Sequence, residues 1–433
     1  MKKMSWKKQI LVGFTLFSMF FGAGNLIFPP YLGAMAGSSF WGAFLGLAIS
    51  AVGLPIAGVI AVARAGGLTQ LASRVHPKFA LAFTVAVYLA IGPCLAIPRT
   101  ASTSFEMLAP LWEHGRNFQA VYSAVFFAAA FLLALRPEKL TDRLGKILCP
   151  CLIALILVLF AGCLIHPLAA APGAPSAEYA SLPAVQGILY GYQTMDTLAG
   201  LNFGAVIALN IAALGITQTK EIEHSTVRAG WIAGGMLLAV YAMLGYAGTQ
   251  VGAVFQGPGT GAEVLTALAN ELFGRAGLVL VAAIFVIACF NTCVGLLSCV
   301  GQYFHELLPK IPYPAILGFF AVVSMLISNI GLAQIIRLST PVLNAVYPIA
   351  IVLILLFYIT SKSRRCRLLP RFCVGCTALQ SIPAAFPMGI LSRIAGSLPL
   401  ADLGFGWLLP ALFGLAMGCI ADRKKSIADS GKE

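Results

Sequence analysis

The stretch FFGAGNLIFPP, from Phe20 to Pro30, places a helix-breaking signal in the middle of an apolar run. Two glycines flank an alanine, an asparagine follows, and two prolines close the stretch. The surrounding run, residues 9–36, is long enough to cross a hydrocarbon core of roughly 30 Å at about 1.5 Å per helical residue. Irregular backbone at that depth is tolerated only where it is buried in protein or lines a cavity. The stretch therefore predicts a membrane helix that is broken halfway across the bilayer.

The rest of the chain has the composition of a membrane protein. Of its 433 residues, 59% are hydrophobic and 10% are charged, and the mean hydropathy is +0.91. Apolar runs of roughly 20 residues recur, and they are too long and too uniformly apolar for barrel strands. Because a backbone in lipid must satisfy its own hydrogen bonds, we predict an all-α polytopic membrane protein with about twelve spans and no soluble domain. The spans are predicted at residues 9–36, 40–63, 79–108, 118–135, 147–166, 183–215, 227–251, 276–300, 313–333, 341–360, 372–391 and 404–421.

The distribution of Lys and Arg predicts the orientation. With the N-terminus in the cytoplasm, the inward-facing segments hold most of the 28 basic residues. The outward-facing segments hold only Arg116, Arg275, Arg337 and Arg393. This asymmetry follows the positive-inside rule and predicts that both termini are cytoplasmic. It also accounts for the net charge of +13, so no nucleic-acid partner is predicted. The predicted partner of the protein surface is the lipid bilayer.

A second predicted span, residues 183–215, is also interrupted. It contains LYGYQTMDTLAGLNFG, from Leu189 to Gly204, which concentrates glycines and polar side chains at mid-depth. Spans 1 and 6 run in opposite directions, and paired interruptions in two inverted halves mark the binding site of secondary transporters. The alternative for the first stretch alone is that its glycines only let helices pack closely. The second, polar break favours a site.

Few ionisable residues fall within the predicted spans. Asp196 is the one clearly deep acid, and Arg99 is the one clearly internal base. Glu106 follows Arg99 by seven residues and shares its helix face nearer the outer surface. Because ionisable groups in a membrane default to a functional role, Arg99 and Glu106 are candidate outer-gate residues, with a structural ion pair as the alternative for Arg99. Asp196 could hold an ammonium group, a cation or Arg99, or it could carry a proton.

Span 8 contains a third polar patch, ACFNTCVGLLSC, from Ala288 to Cys299. Asn291, Thr292 and Ser298 supply uncharged oxygens in an otherwise apolar helix, and such oxygens suit a hard cation such as sodium. The alternative is that the hydroxyl groups bond back to their own helix.

Four strings, in this order, resemble the branched-chain amino acid:cation symporters, the LIVCS or BrnQ-type carriers: FFGAGNLIFPP, GGLTQLASRVHP, IGPCLAIPRTA and GYQTMDTLAGLNFG. The resemblance covers nearly the whole chain. It implies import of leucine, isoleucine and valine by alternating access, coupled to sodium or protons, with sodium favoured, across a bacterial plasma (inner) membrane. It also implies the leucine-transporter-like (APC) fold, with two inverted five-helix repeats, broken helices 1 and 6, and two added helices. These would form one transporter domain, with the first repeat at residues 1–176, the second repeat at 177–360, and the two added helices with the cytoplasmic tail at 361–433.

The resemblance further implies which residues form the site. The substrate carboxylate would lie at the first break and the ammonium at the second, because a half-helix N-terminus attracts anions and free carbonyls attract cations. The implied substrate residues are Gly22, Ala23, Gly24 and Asn25 for the carboxylate, and Tyr192, Gln193, Thr194 and Asp196 for the ammonium. The implied cation site combines carbonyls near Ser18 and Phe21 with the side chains of Asn291 and Thr292. In similar symporters we expect two adjacent hydroxyl residues in span 8, and Asn291 departs from that pattern.

Two other functions compete with this prediction. One is a cation-coupled symporter of another small neutral amino acid in the same fold, and the other is an integral-membrane enzyme. An enzyme needs clustered His, Asp or Cys, whereas the five histidines fall near span ends and in loops on both faces. A channel would show a repeated selectivity filter or rings of charge. The sequence therefore predicts a transporter rather than an enzyme, with no cofactor besides the coupling ion and no obligate protein partner.

Overall fold

The computed structural model describes residues 4–111, 116–255, 257, 259–360, 368–386 and 388–430. These residues form helices and connecting loops, with no β-strand among them. The helices that precede the second break are α1 (Trp6–Phe20), α2 (Ala23–Ala36), α3 (Phe40–Ala48), α4 (Leu54–Ala65), α5 (Leu68–Ser73), α6 (Pro77–Leu89), α7 (Ala96–Leu108), α8 (Arg116–Ala134), α9 (Cys149–Ile165), α10 (Ala177–Ser181) and α11 (Pro183–Tyr192). Those that follow it are α12 (Asp196–Ala213), α13 (Thr219–Val254), α14 (Gly261–Phe273), α15 (Arg275–Leu307), α16 (Tyr313–Ser328), α17 (Leu332–Thr360), α18 (Leu369–Ala385), α19 (Ile390–Gly396) and α20 (Leu408–Ser430).

Every predicted span falls on a helix or on a divided helix. By length and composition, seven continuous helical runs in the described chain could cross a membrane, or eight if the bent pair α18 and α19 counts as one span. α8 and α16 are shorter apolar helices at the predicted spans 4 and 9, and α1 has only 15 residues because its span is divided. Large apolar side chains lie exposed around the bundle, as expected for a lipid-facing surface; Ile147, for example, is 67% exposed and Leu379 is 78% exposed.

The helices of predicted spans 1 and 6 are broken where the sequence predicts it. α1 ends at Phe20, Phe21 leaves the helical region (φ −74°, ψ 89°), Gly22 is extended (φ −124°, ψ −156°), and α2 begins at Ala23. In helix 6, α11 ends at Tyr192, and Met195 adopts a left-handed conformation (φ 67°, ψ 4°) before α12 begins. These breaks confirm the prediction of two discontinuous helices.

The third predicted span, residues 79–108, contains a further break that the sequence analysis missed. A π-helical turn, Ala90–Cys94, separates α6 from α7, and the backbone at Gly92 and Leu95 is not helical. Pro93 removes a donor from this turn and clashes with the preceding one, which is the usual effect of proline inside a helix. The sequence analysis identified interruptions in spans 1 and 6 only, so this break adds a third discontinuous helix. One consequence is that Arg99 lies in the first turn of a new helix, α7.

Two predicted boundaries are also wrong, both because of glycine. The predicted span 313–333 ends earlier, at Ser328, and the next helix begins at Leu332 rather than at residue 341, since Gly331 turns the chain at φ 102°. The predicted span 372–391 stops at Ala385, and Gly389, at φ 64°, precedes α19, which is bent by 108° from α18. A positive φ is accessible to glycine at little steric cost, so these residues redirect the chain just before the next helix begins.

Packing places the two broken helices at the centre of the bundle. α2 and α1 both lie along α13, α12 lies along α4, and α1 also contacts α12 and α15. The contact between α2 and α13 is close, because a Cβ built on Gly33 would come within 1.9 Å of the carbonyl oxygen of Gly245. Small residues at such a crossing let the two backbones approach, as in other membrane helix pairs. The breaks are thus held in the interior rather than exposed to lipid.

Candidate functional site at the two helix breaks

Asn25 joins the two breaks. Its Oδ1 accepts a hydrogen bond from the Gly22 N–H at 3.1 Å, which satisfies one donor that the broken helix leaves free. Its Nδ2 donates to Oδ2 of Asp196 at 2.5 Å and to the hydroxyl of Tyr241. The Tyr241 hydroxyl in turn donates to the same Asp196 oxygen at 3.1 Å. Asn25, Asp196 and Tyr241 are all buried, so this network fixes the first turn of α2 against the first turn of α12.

The second break supplies its own local bonds. The Thr194 hydroxyl donates to the Gly191 carbonyl at 2.9 Å, and the Thr197 N–H donates to the Tyr347 hydroxyl at 3.3 Å. The Tyr192 carbonyl, a predicted ammonium ligand, already accepts the Met195 N–H at 3.2 Å. The other predicted residues, Gln193 and Thr194, line cavities beside the break.

A small cavity of about 30 Å³ lies between the breaks. It is bordered by all four predicted carboxylate residues and by Asp196, and also by Arg99 and Thr292. Its remaining lining is mostly apolar: Met19, Phe20, Ile91, Ala96, Thr100, Thr194, Met195, Ala199, Phe203 and Leu296. A cavity of this size has room for about one water molecule. Polar groups from both breaks and aliphatic side chains therefore meet around one small space.

A larger cavity of about 620 Å³ adjoins it on the side of the breaks away from α1. Gly24, Arg99 and Met195 border both cavities, so they form the junction between them. Glu106 borders only the larger cavity, and neither it nor Arg99 forms an ion pair with a described residue. The residues just before α14 and in its first turn also border this cavity. The start of α14 rests directly on Ile27. The larger cavity therefore forms a route from one face of the bundle to the breaks.

The opposite end of the bundle is closed around α1. The buried Gln9 side chain donates from Nε2 to the Ser225 carbonyl at 2.7 Å. Lys8 Nζ donates to the Leu214 carbonyl at 3.3 Å. These bonds fasten the start of α1 to α13 and to the end of α12. These bonds lie on the side of the breaks away from the larger cavity.

The predicted cation residues come together beside the first break. Asn291 Nδ2 donates to the Ser18 hydroxyl at 2.7 Å. Thr292 lies against the break itself, because a Cβ built on Gly22 would be 2.6 Å from the Thr292 Oγ1. The Asn291 Oδ1 and Thr292 Oγ1 atoms are both buried without a hydrogen-bond partner among the described residues. By contrast, the Ser298 hydroxyl bonds back to the Val294 carbonyl of its own helix at 2.8 Å.

Sequence reasoning missed the two tyrosines and the apolar lining. Tyr241 and Tyr347 carry hydroxyl groups that bond to the start of α12, yet a tyrosine in an apolar helix is common at membrane interfaces and gives no positional signal. The sequence offers many aliphatic residues, and only their packing identifies Ile91, Ala199 and Leu296 as neighbours of the breaks.

Two solved transporter structures share this fold. The chain superposes on a nucleobase-cation-symport-1 family transporter, in a closed conformation with bromovinylhydantoin bound, with a TM-score of 0.59 at 11% identity, covering 96% of this chain and 93% of that one. It superposes on MhsT in complex with L-phenylalanine with a TM-score of 0.58 at 17% identity, covering 96% of this chain and all of that one (100%). At such identities the likeness establishes the fold alone, and it confirms the leucine-transporter-like architecture.

The sequence relatives align with nearly the whole chain. The branched-chain amino acid permease BraB of Bacillus subtilis is 39% identical over 426 residues, with 96% of this chain and 95% of BraB aligned. The branched-chain amino acid transport system 2 carrier protein of Pseudomonas aeruginosa is also 39% identical, with 96% of each chain aligned. These relatives are permeases and carriers rather than enzymes, which confirms that the chain is not an enzyme. The family model described as "Branched-chain amino acid transport protein" matches residues 5–425, and the chain therefore belongs to that family of multi-pass membrane transporters.

Proposed function

We propose that the protein is a secondary symporter that imports leucine, isoleucine and valine, coupled to sodium, by alternating access. It would act in a bacterial inner membrane with both termini in the cytoplasm, as the Lys and Arg distribution predicts. The observation that carries the proposal is the Asn25–Asp196 bond, which holds two helix breaks around one small cavity. Discontinuous helices at mid-depth are the usual setting of a transporter's substrate and ion sites.

The substrate would lie in the small cavity. Its carboxylate would face the first turn of α2, where Ala23 and Gly24 carry amide groups that have no intrahelical acceptor. Its ammonium would face Asp196 and the carbonyls that end α11. Its branched side chain would contact aliphatic residues such as Ile91 and Leu296. Since about 30 Å³ is too small for an amino acid, binding requires this cavity to widen into the 620 Å³ cavity beside it.

Sodium would bind between α1 and α15. The Asn291 and Thr292 oxygens are buried and unpartnered, and an orphaned buried acceptor costs about 1–3 kcal/mol. A cation between them and the carbonyls at the end of α1, near Ser18 and Phe21, would satisfy both. Because α1 is one side of the first break, cation binding there would stabilise the broken conformation that the substrate needs.

During transport the site would open alternately to the two sides of the membrane. The larger cavity would be the extracellular route, with Arg99 and Glu106 on its wall as gate residues. The bonds of Lys8 and Gln9 would close the cytoplasmic route until α1 swings away.

Labelled leucine uptake into proteoliposomes tests the proposal. Sodium and proton gradients are imposed separately, and unlabelled isoleucine, valine, serine and proline are added as competitors. We expect uptake that requires the sodium gradient and is inhibited by isoleucine and valine only. Uptake driven solely by protons would overturn the sodium assignment, whereas inhibition by serine or proline would indicate a symporter for other neutral amino acids.

A pair of variants in α15 tests the cation site. Thr292→Ala removes an unpartnered buried oxygen, whereas Ser298→Ala removes a hydroxyl that bonds to its own helix. We expect Thr292→Ala to raise the half-saturating sodium concentration about 10-fold, since an interaction with a charged partner is worth about 1.5–3 kcal/mol. Ser298→Ala should leave it unchanged. Equal sodium dependence in both variants would exclude Thr292 from the cation site.

A further inference from the structure

Arg99 brings to the site a positive charge that no described residue neutralises through a direct ion pair. Its guanidinium forms neither an ion pair nor a hydrogen bond with any described residue. Asp196 borders the same small cavity but is not within ion-pairing distance of Arg99, and its Oδ2 is already held by Asn25 and Tyr241. A structural Arg99–Asp196 pair therefore does not account for the arginine.

The position of Arg99 relative to the first break is specific. A Cβ built on Gly24 would be only 2.7 Å from the Arg99 Nη2, so the guanidinium lies against the backbone at the start of α2. The break at Pro93 starts α7 at Ala96, which places Arg99 one turn into that helix. The guanidinium and the free amide groups of Ala23 and Gly24 thus share one small region, and all of them carry donors and positive partial charge.

We propose that Arg99 binds the α-carboxylate of the transported amino acid, together with the first-turn amides of α2. The proposal rests on the proposed function, since it assumes that an amino acid occupies the cavity between the breaks. An amino acid with its carboxylate at Arg99 and its ammonium at Asp196 matches the opposite charges that border the cavity. Arg99 is then a substrate ligand at the junction of the two cavities, in addition to any role in closing it.

Displacement of water by the substrate determines whether the guanidinium needs an anionic partner. While the cavities are hydrated, water can solvate the guanidinium, but a bound amino acid displaces that water. A cation stripped of water without a partner is strongly unfavourable, so the ligand that displaces it must supply an anion. Guanidinium and carboxylate match in a planar, two-bonded geometry that lysine cannot reproduce. Selection for a free carboxylate therefore follows from the position of this one residue.

Leucine and leucinol provide the test, because leucinol keeps the ammonium and the side chain but replaces the carboxylate with a hydroxymethyl group. Affinities are measured by ligand-induced thermal stabilisation of the purified full-length protein. We expect the wild type to prefer leucine over leucinol by at least about 30-fold, the loss typical of truncating one partner of a buried charge pair. Arg99→Gln should lose that preference, with leucinol affinity changed less than about threefold, and Arg99→Lys should retain part of it.

Arg337→Gln is the matched control. Arg337 is an exposed arginine of α17 that borders neither cavity, so its substitution should leave both affinities unchanged. A preference for leucine that survives in Arg99→Gln would overturn the proposal. If the affinities for leucine and leucinol both fall together when chloride is replaced by gluconate, Arg99 binds an inorganic anion instead, and the proposal is again overturned.

A measurement on the wild type covers the case in which Arg99→Gln does not fold. Phenylglyoxal modification of Arg99, followed by peptide mass mapping, should be blocked by saturating leucine but not by saturating leucinol. Equal protection by both ligands would contradict carboxylate binding. Failure of the proposed function looks different: the wild type would then bind neither ligand and would not take up leucine.

Discussion

Asn25 offers a sharp test of the link between the two breaks. Its Oδ1 accepts the Gly22 N–H at 3.1 Å, and its Nδ2 donates to Asp196 at 2.5 Å. Asn25→Ala removes both bonds and also the bond to the Tyr241 hydroxyl. Asn25→Asp keeps the shape and the acceptor for Gly22, but it replaces the donor with a second carboxylate oxygen facing Asp196. The two variants therefore separate the loss of a bond from the creation of a repulsion.

The expected energies predict that the rank order of the two variants reverses with pH. Loss of a hydrogen bond to a charged group costs about 1.5–3 kcal/mol, so Asn25→Ala should weaken leucine binding about 10- to 100-fold while Asp196 is ionised. In Asn25→Asp, two charged oxygens 2.5 Å apart would repel by on the order of 6 kcal/mol at an effective dielectric constant of about 20. Two carboxyl groups this close share a proton instead of both ionising, and the shared proton restores a donor between them. Asn25→Asp should therefore be worse than Asn25→Ala at about pH 8 and better at about pH 5.

The assay is leucine binding and thermal unfolding of the purified variants at both pH values. Both variants keep Asp196, Arg99 and Tyr241, and only Asn25→Asp adds a carboxyl group that shares a proton with Asp196, so a change in their rank order with pH reports the introduced carboxyl group. The same rank order of the two variants at both pH values would refute the reasoning. Wild-type affinity in Asn25→Ala would show that the bond between the breaks has no role in binding.

Two further substitutions test the backbone that shapes the site. Met195→Val should lower thermal stability, since a β-branched residue fits the left-handed φ of 67° less well than an unbranched one, whereas the volume-conserving Met195→Leu should cost less. Gly33→Ala should also lower the unfolding midpoint, because its Cβ would lie 1.9 Å from the Gly245 carbonyl oxygen, whereas Gly235→Ala should not, since nothing lies within 4 Å of its Cβ. Equal midpoints within either pair of variants would contradict the corresponding geometry.

Much of the fold could be predicted because the bilayer restricts what a sequence can do. Sustained hydropathy permits only helices, and the polar strings at Gly22 and Asp196 stand out against an apolar background. The resemblance to the branched-chain amino acid:cation symporters supplied the architecture, and the structure places Asn291 and Thr292 beside the first break as that resemblance implies. Their roles as ion ligands remain predictions.

The features that escaped the sequence analysis depend on three-dimensional context. Pro93 and Pro98 both precede Arg99 in the sequence, but proline is tolerated in membrane helices and does not by itself indicate a break. The sequence predicts Arg99 as an outer-gate residue or as a partner of Asp196, and it does not predict the contact of Arg99 with the first break. The π-helical turn at Ala90–Cys94 interrupts the third span, and the Arg99 side chain reaches Gly24.

The Asn25 network also constrains how the protein can alternate between its two faces. Asn25 belongs to α2, Asp196 begins α12, and Tyr241 belongs to α13, so the bonds tie together one half of each broken helix with the helix that packs along α2. The other half of the first broken helix, α1, is held at its N-terminal end by the bonds of Lys8 and Gln9 instead. Breaking those bonds costs less than separating a buried charged group from its donors. We therefore expect α1 to pivot at Phe21 and Gly22 while α2 and α12 stay joined, so that the site opens inward with its substrate ligands still in place.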